Sequence, residues 1–427
     1  MRWKRRLGRR RWLPVVRPLA GRRLPKELRP ENVGSLAAAL PEGVHDPGFE
    51  PLIERIDASP CLPGNRVSLY FGGSDAMEAM LGAIDSAREE VLLEVYIFRE
   101  DATGAAFRDA LRRAAARGVA VRVLADAFGS IETAEAFWNS MRAGGVEVRL
   151  FHTLLAHLLD QPFRDHRKIL AVDRRVAFTG GMNIGLEYGS SRRRRARSPG
   201  RTWRDTQARV EGPTAWDLAV VFAEGWERAG GTPVSLSPLT TVEAPGARIL
   251  TLDTRPGRGT DEKTAVLTAA IAAARRRVWI TNSYFAPRPR ATGVLAAAAA
   301  RGVDVRLLLP GLSDAPLVRH AGHGYFAELL GCGVEVFEYQ PAVLHAKTLV
   351  VDDRVAVVGS TNLDYRSFDF NAECNLVILC ETTNAALAAA FENDLARSTQ
   401  IRLPDWPRRP LLHRLGDHIA RLVAPVL

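Results

Sequence analysis

The chain has 427 residues, 47% of them hydrophobic and 25% charged, with 58 Lys and Arg against 48 Asp and Glu. That length exceeds one ordinary core and predicts two domains of roughly 150 to 200 residues each. The net charge of +10 points to a polyanionic partner, either nucleic acid or an acidic membrane surface, and no stretch is apolar for long enough to predict a transmembrane helix.

Residues 1–48 are rich in Arg and Pro and are expected to be irregular. No apolar run follows the arginines of Met1–Arg23 as a secretory signal requires. Arg2, Lys4, Arg5, Arg6, Arg9, Arg10 and Arg11 form either a solvated tail or a polybasic arm, in which each cation near an anionic surface adds about 1 kcal/mol. A first domain is expected over residues 49–235. Met77–Glu89 reads as a helix, Val91–Phe98 as a mostly buried strand, Ala105–Ala116 as a helix stopped by Gly118, and Val119–Ala125 as the next strand. Glu94 and Tyr96 share one face of their strand and are candidates to line a pocket. The alternation of strand and helix predicts an α/β layer structure. Ser190–Arg201 is an arginine-dense insertion, expected to be an exposed loop. A Gly- and Pro-rich linker leads into a second domain over residues 236–402. Residues 403–427 are expected to hold an amphipathic helix, with Leu411, Leu412, Leu415, Ile419, Leu422 and Val423 on one face and Arg414, Asp417 and Arg421 on the other. It either packs on the second domain or lies in a lipid interface. The four cysteines, Cys61, Cys332, Cys374 and Cys380, form no CxxC pair and read as reduced core residues.

One constellation occurs twice. His166-Arg167-Lys168, Asp173 and Gly180-Gly181-Met182-Asn183 form the first copy; His345-Ala346-Lys347, Asp352 and Gly359-Ser360-Thr361-Asn362 form the second, at identical spacing. Flanking segments repeat too: Ala116–Arg122 parallels Ala300–Arg306, and Gly145–Val148 parallels Gly333–Val336. A duplicated domain follows. Each His and Lys, two residues apart on a strand, share one face.

Two copies brought face to face supply two imidazoles, two ammonium groups and two amide donors. That set suits a phosphodiester passing through a covalent phosphohistidine: one histidine attacks phosphorus while the other protonates the leaving oxygen. Lys168 and Lys347 would neutralise the nonbridging oxygens, with Asn183 and Asn362 as neutral donors. Because this positive charge is built in, neither a metal nor another cofactor is expected. Gly180, Gly181 and Gly359 are expected to allow close backbone approach beneath the site, and Ser360 adds a hydroxyl where the first copy has Gly181.

The doubled HxKxxxxD…G-[GS]-x-N pattern resembles the phospholipase D superfamily. Within it the chain resembles bacterial cardiolipin synthases, through Phe163–Lys168, Trp203-Arg204-Asp205-Thr206, Glu338-Tyr339-Gln340 and Gly359–Ser367. The resemblance runs from about Val67 onward. It implies two α/β phospholipase D-like domains, each a mixed β-sheet flanked by helices, with the active site at their pseudo-two-fold interface. It implies that Asp173 and Asp352 are structural and point away from the phosphate. It also implies a carboxylate holding each histidine: Glu373 for the half that carries His345 and, in the half that carries His166, Asp205. By analogy His166 is the nucleophile and His345 the acid and base. The implied activity joins two phosphatidylglycerols into cardiolipin and glycerol at the cytoplasmic face of a bacterial membrane, with the protein attached peripherally. A hydrolytic phospholipase D and a nuclease are the alternatives. The basic residues cluster without interleaved aromatics, so no nucleic acid partner is expected. His320 and His323 are read as structural, with a headgroup contact as the alternative.

Overall fold

The structure, a computed structural model, describes residues 33–151, 163–189, 203–236, 244–255 and 260–424. The basic segment 1–23 and the arginine-dense insertion 190–201 lie outside the described residues. The chain opens with α1 (Val33–Ala39), a 3₁₀ turn (Gly43–His45) and α2 (Phe49–Asp57). The first half continues as β1 (Leu62–Tyr70), α3 (Gly73–Ser86), β2 (Glu90–Val95), α4 (Ala102–Ala116), β3 (Ala120–Asp126), α5 (Glu135–Ala143), β4 (Glu147–Phe151), β5 (Arg164–Asp165), β6 (Ile169–Val172), β7 (Val176–Gly180), α6 (Leu186–Gly189), β8 (Gln207–Glu211) and α7 (Pro213–Arg228). The second half follows with β9 (Ala247–Thr254), α8 (Thr260–Ala273), β10 (Arg277–Thr281), β11 (Phe285–Ala286), α9 (Pro289–Ala300), β12 (Asp304–Pro310), α10 (Pro316–Gly331), β13 (Glu335–Tyr339), β14 (Thr348–Val351), β15 (Val355–Gly359), β16 (Leu363–Asp364), α11 (Tyr365–Asp369), β17 (Asn371–Leu379) and α12 (Glu381–Leu395). The chain closes with β18 (Ser398–Ile401), a second 3₁₀ turn (Trp406–Arg408) and α13 (Leu411–Val423).

The two halves share one continuous mixed sheet, ordered β18-β13-β12-β10-β14-β15-β17-β9-β1-β8-β7-β6-β2-β3-β4. Read outward from the antiparallel β1/β9 seam, each half repeats the same sequence of parallel and antiparallel neighbours. The repeat seen in the sequence is therefore a pseudo-two-fold relation about that seam. On one face, α3, α4 and α5 cover the first half around Phe98, Phe107 and Trp138, while α8, α9 and α10 cover the second. On the other face α7 and α12 lie over both halves, in a single core running from Leu92 and Ile169 through Phe222 and Ile249 to Ile378 and Phe391. Strand β2 stops at Val95, short of the expected Phe98, because side chains take over its ladder. The Ile97 N–H donates to Asn183 at 3.1 Å and the Phe98 N–H to Ser130 at 3.0 Å.

One expectation changes. Residues 33–48 are not irregular. Leu36, Leu40, Val44, Phe49 and Ile53 of α1, the 3₁₀ turn and α2 pack into the second-half core beside Val266 and Ala269 of α8. The carbonyls ending α1 accept from Arg275 (2.5 Å for Ala37, 2.6 Å for Leu40), which satisfies groups a helix end leaves open. The start of the described chain thus belongs to the far half.

The C-terminal helix, in turn, docks by its polar side. Asp417 and Ala420 are buried, whereas Leu411, Leu412, Leu415, Ile419 and Leu422 are 55–81% exposed. Asp417 accepts from His320 at 2.7 Å and from Arg409 at 2.8 Å, and Arg421 donates to the Gly324 carbonyl at 2.6 Å. His320 and His323 are thus tied to this contact; His323 also bonds Glu338 at 3.0 Å.

Asp173 and Asp352 fill matching roles at the tight β6–β7 and β14–β15 turns. Asp173 accepts from the backbone N–H groups of Arg88, Glu89 and Glu90, and Asp352 from those of Arg275, Arg276 and Arg277, at 2.8–3.0 Å. Both have left-handed φ, 51° and 48°, which Asp tolerates better than most residues. Removing the acceptor takes one shared side-chain partner from three backbone donors at once. Asp352→Ala is therefore expected to cost roughly 2 to 4 kcal/mol, and Asp352→Asn, which keeps one acceptor and the backbone tolerance, clearly less. Thermal unfolding should rank Tm as wild type, Asn, Ala; equal Tm values would remove the aspartate from this role.

Candidate active site

Each copy of the repeated motif sits on a hairpin that one strand, β8 or β17, separates from the β1/β9 seam. In the first, His166 and Lys168 lead into β6, and Asn183 follows β7; in the second, His345 and Lys347 lead into β14, and Asn362 follows β15. All six side chains are buried. Lys168 Nζ donates to the His166 carbonyl at 2.7 Å, and Lys347 Nζ does the same to His345. The middle residues face away: Arg167 donates to Glu94 at 3.4 Å and to the Thr254 carbonyl at 3.0 Å, and Ala346 packs into the shared core. Glu94 is thus taken up by Arg167. Its strand-face companion Tyr96 does line the site, with its ring 5.0 Å from the His166 ring and 5.3 Å from Lys168 Nζ.

The carboxylates cross between halves. His166 Nδ1 lies 3.1 and 3.2 Å from the two Glu373 oxygens, and His345 Nδ1 lies 2.7 Å from Asp205 Oδ2. The sequence had paired each carboxylate with the histidine of its own half, and this is corrected. The backbone explains it. Strand β5 pairs with Asn371 and Ala372 of β17, and the His166 N–H donates to the Ala372 carbonyl at 2.9 Å, so Glu373 arrives beside His166. Arg204 bridges to Leu344, and the His345 N–H donates to the Arg204 carbonyl at 2.7 Å, so Asp205 arrives beside His345. An ionised carboxylate only accepts. Nδ1 of each ring therefore carries the proton, and each Nε2 keeps its lone pair.

The glycines make this possible. A Cβ on Gly181 would fall 2.1 Å from the Asp205 carboxylate, and one on Gly359 2.2 Å from the Asn375 side chain. Gly180 likewise lies against the Thr206 carbonyl. Where the first copy has Gly181, the Ser360 hydroxyl donates to Glu373. Asn371 adds a donor to Glu373 at 3.3 Å. Tyr188 links the halves: its hydroxyl accepts from Asn183 at 3.0 Å and lies 3.4 Å from His345 Nδ1. Trp203 tilts over the His345 ring at 4.8 Å, and Ser283 donates to Asn362 at 2.6 Å. Tyr188, Asn371, Ser283 and Lys263 escaped the sequence reading. Lys263 lies in a stretch, Asp261-Glu262-Lys263, that looks like a helix surface, yet its ammonium is buried, donates to the Ser367 carbonyl at 3.0 Å and contributes to the field at Glu373.

Burial dominates the electrostatics. It pushes His166 down to about 4, helped by Lys168 and opposed by Glu373, and it pushes His345 well below the usual imidazole range, helped by Lys347 and Lys168. Lys168 falls to about 7 and Lys347 to about 8, again through burial. Each lysine lowers His345, and Lys347 lowers Lys168, so both motifs act on one space. The two carboxylates part company. Burial raises Asp205 to about 6 against the pull of Lys347, whereas at Glu373 the same burial is outweighed by His166, Lys263 and Lys168, which hold it at about 2. Glu373 therefore stays ionised to lower pH than Asp205. Among the described residues, two clusters have the spacing of metal ligands, His320 with His323 and Asp417, and Glu50 with Glu54 and Cys61. Neither includes a residue of this site.

A family described as "Cardiolipin synthase, PLD-like domain" matches residues 80–190 and 267–395. The chain is 37% identical over 403 residues to cardiolipin synthase A of Pseudomonas aeruginosa, covering 93% of this chain and 80% of that protein. It is 32% identical over 389 residues to cardiolipin synthase 1 of Bacillus anthracis, covering 88% and 75%. Among solved structures, the phosphatidylserine synthase of Haemophilus influenzae superposes with a TM-score of 0.68 at 12% identity, over 89% of this chain and all of that one. With two intact motifs converging on one buried site and these matches spanning most of its length, the chain belongs to the cardiolipin synthase family of phospholipase D-like proteins.

Proposed function

We propose that the protein is a phosphatidyltransferase that joins two phosphatidylglycerols into cardiolipin and glycerol through a phosphohistidine. The crossed site carries the chemistry of this reading; the similarity to cardiolipin synthases supports transfer over hydrolysis. His166 Nε2 attacks phosphorus, the bond to the headgroup glycerol breaks, and His345 gives that oxygen its proton. The terminal hydroxyl of a second phosphatidylglycerol then loses its proton to His345 and attacks, releasing cardiolipin and free His166. Lys168, Lys347, Asn183 and Asn362 hold the charge on the nonbridging oxygens. His345 takes up this proton from solvent as the anionic substrate binds, because the phosphate charge offsets the burial and the two lysines that otherwise keep the ring neutral. Glu373, held ionised, keeps the proton on His166 Nδ1 and leaves Nε2 free, and by analogy with the superfamily the attack is assigned to that ring.

His345→Ala should lower transfer by about 10²- to 10⁴-fold, and His166→Ala should abolish the adduct. Mass spectrometry of acid-sparing digests should find the phosphatidyl group on His166. An adduct on His345 alone would reverse the assignment, and phosphatidic acid as the main product would indicate hydrolysis instead.

The pH profile follows from the shifts. Lys168 and Lys347 are cationic below, and neutral above, about 7 and about 8. Substrate binding should therefore weaken as pH rises through that window. His166 must be neutral to attack, which it is above about 4. The expected kcat/KM is high between these limits and falls across pH 7–8, measured in mixed micelles of fixed composition. A flat profile to pH 9 would contradict the buried lysine pair.

The substrates reside in a bilayer, and no described helix is long and apolar enough to cross one. We therefore read the protein as docking peripherally on the cytoplasmic face. Support comes from α13, whose apolar face is exposed because its polar face is tied to the protein. A helix so mounted suits shallow insertion that resists salt, while residues 1–23 would act through anionic lipid and weaken with salt. Flotation on phosphatidylglycerol vesicles should show salt-resistant binding lost on replacing Leu411, Leu415, Ile419 and Leu422 with Gln, and salt-sensitive binding lost on deleting residues 1–23. Unchanged flotation of the Gln variant at high salt would rule out insertion by α13.

A further inference from the structure

A cavity of about 390 Å³ lies in the second half, between α8, α9 and the sheet. Its walls are apolar: Leu267 and Ile271 from α8, Val294 and Leu295 from α9, and Ile280 and Leu349 from β10 and β14. Its inner end reaches Lys347 and Thr361, next to the motif asparagine. At its outer end stand Pro289 and Arg290, both exposed. Protein interiors are close-packed and leave few voids larger than a water, so a space of this size is not slack in the core. Two amides of its lining are engaged within the protein. Asn282 accepts from the Leu363 N–H at 3.0 Å, and Asn375 donates to the Thr361 hydroxyl at 2.7 Å. The space thus has apolar walls, with Lys347 at its inner end and Arg290 at its outer end.

We propose that this cavity takes one acyl chain of the lipid whose phosphate lies between Lys168 and Lys347, which makes it a determinant of acyl-chain selection. The proposal rests on the reading of the substrate as a phospholipid. His166, Lys168, His345 and Lys347 are at most 7% exposed, so a phosphate must leave the membrane surface to reach them. It drags its glycerol backbone and the first methylenes along. Each methylene drawn into water would reduce productive binding by roughly fourfold; drawn into an apolar cavity it loses nothing relative to the bilayer. A methylene is about the size of a water, whose share of liquid volume is about 30 Å³. The cavity therefore holds on the order of a dozen carbons.

The test uses the full chain with vesicles of phosphatidylglycerol that carry a photoactivatable diazirine near the end of one acyl chain. After irradiation, peptides spanning residues 260–273 and 289–300 should carry the label. In parallel, Leu267→Trp and Val294→Trp, which fill the space, should shift the preferred acyl length to shorter chains, with long-chain KM raised about tenfold or more and Tm near wild type. Label confined to α13 or to other lipids would overturn the proposal, as would an unchanged chain-length profile in a folded Trp variant. The label is read whatever the product. Conversion to phosphatidic acid in the same reaction would therefore count against transfer and leave the cavity's role standing.

Discussion

Each imidazole of the site is held by a carboxylate from the other half of the chain: His166 by Glu373, His345 by Asp205. Neither half can build its own site, although each carries a full motif. The crossing comes from two short backbone exchanges, β5 against β17 and Leu344 against Arg204. These exchanges place four buried ionisable groups within reach of two buried lysines. Breaking one pair would leave a charge in a low-dielectric interior without its partner, which is costly. The β1/β9 seam and the core shared by α7 and α12 hold the halves in the one arrangement that prevents this.

The repeat is symmetric in backbone and asymmetric in charge. Gly181 leaves room for Asp205, whereas Ser360 at the matching position donates to Glu373, and Lys263 adds a third cation on that side. One carboxylate is thereby held at about 2 and the other near 6. A pair of identical motifs thus becomes two histidines with different surroundings, as a reaction needing a nucleophile and a proton carrier requires.

The described segments that flank the repeat attach to the second half. Helices α1 and α2 extend its core, β18 lengthens its edge of the sheet, and α13 rides on α10 through Asp417 and Arg421. That half also contains the apolar cavity that ends at Lys347. The exposed leucines of α13 and the cavity thus lie in the same half of a nearly symmetric protein.

The sequence by itself determined the duplication, the α/β layers and the six motif side chains, because spacing along a strand dictates which residues share a face and two equal spacings leave little room for accident. It also singled out Glu373 and Asp205. Their partners were decided only by the tertiary structure, since hydrogen bonds between residues 207 and 140 positions apart leave no local signature. The same holds for Lys263 and Tyr188, which belong to no repeated motif, and for Glu94, which periodicity placed with Tyr96 but Arg167 claims. Helical periodicity identified both faces of α13; which one faces the protein depended on a buried aspartate meeting two histidines and an arginine from outside the helix. Local pattern fixes which side chains share a face, and only the packing of distant segments decides what each face meets.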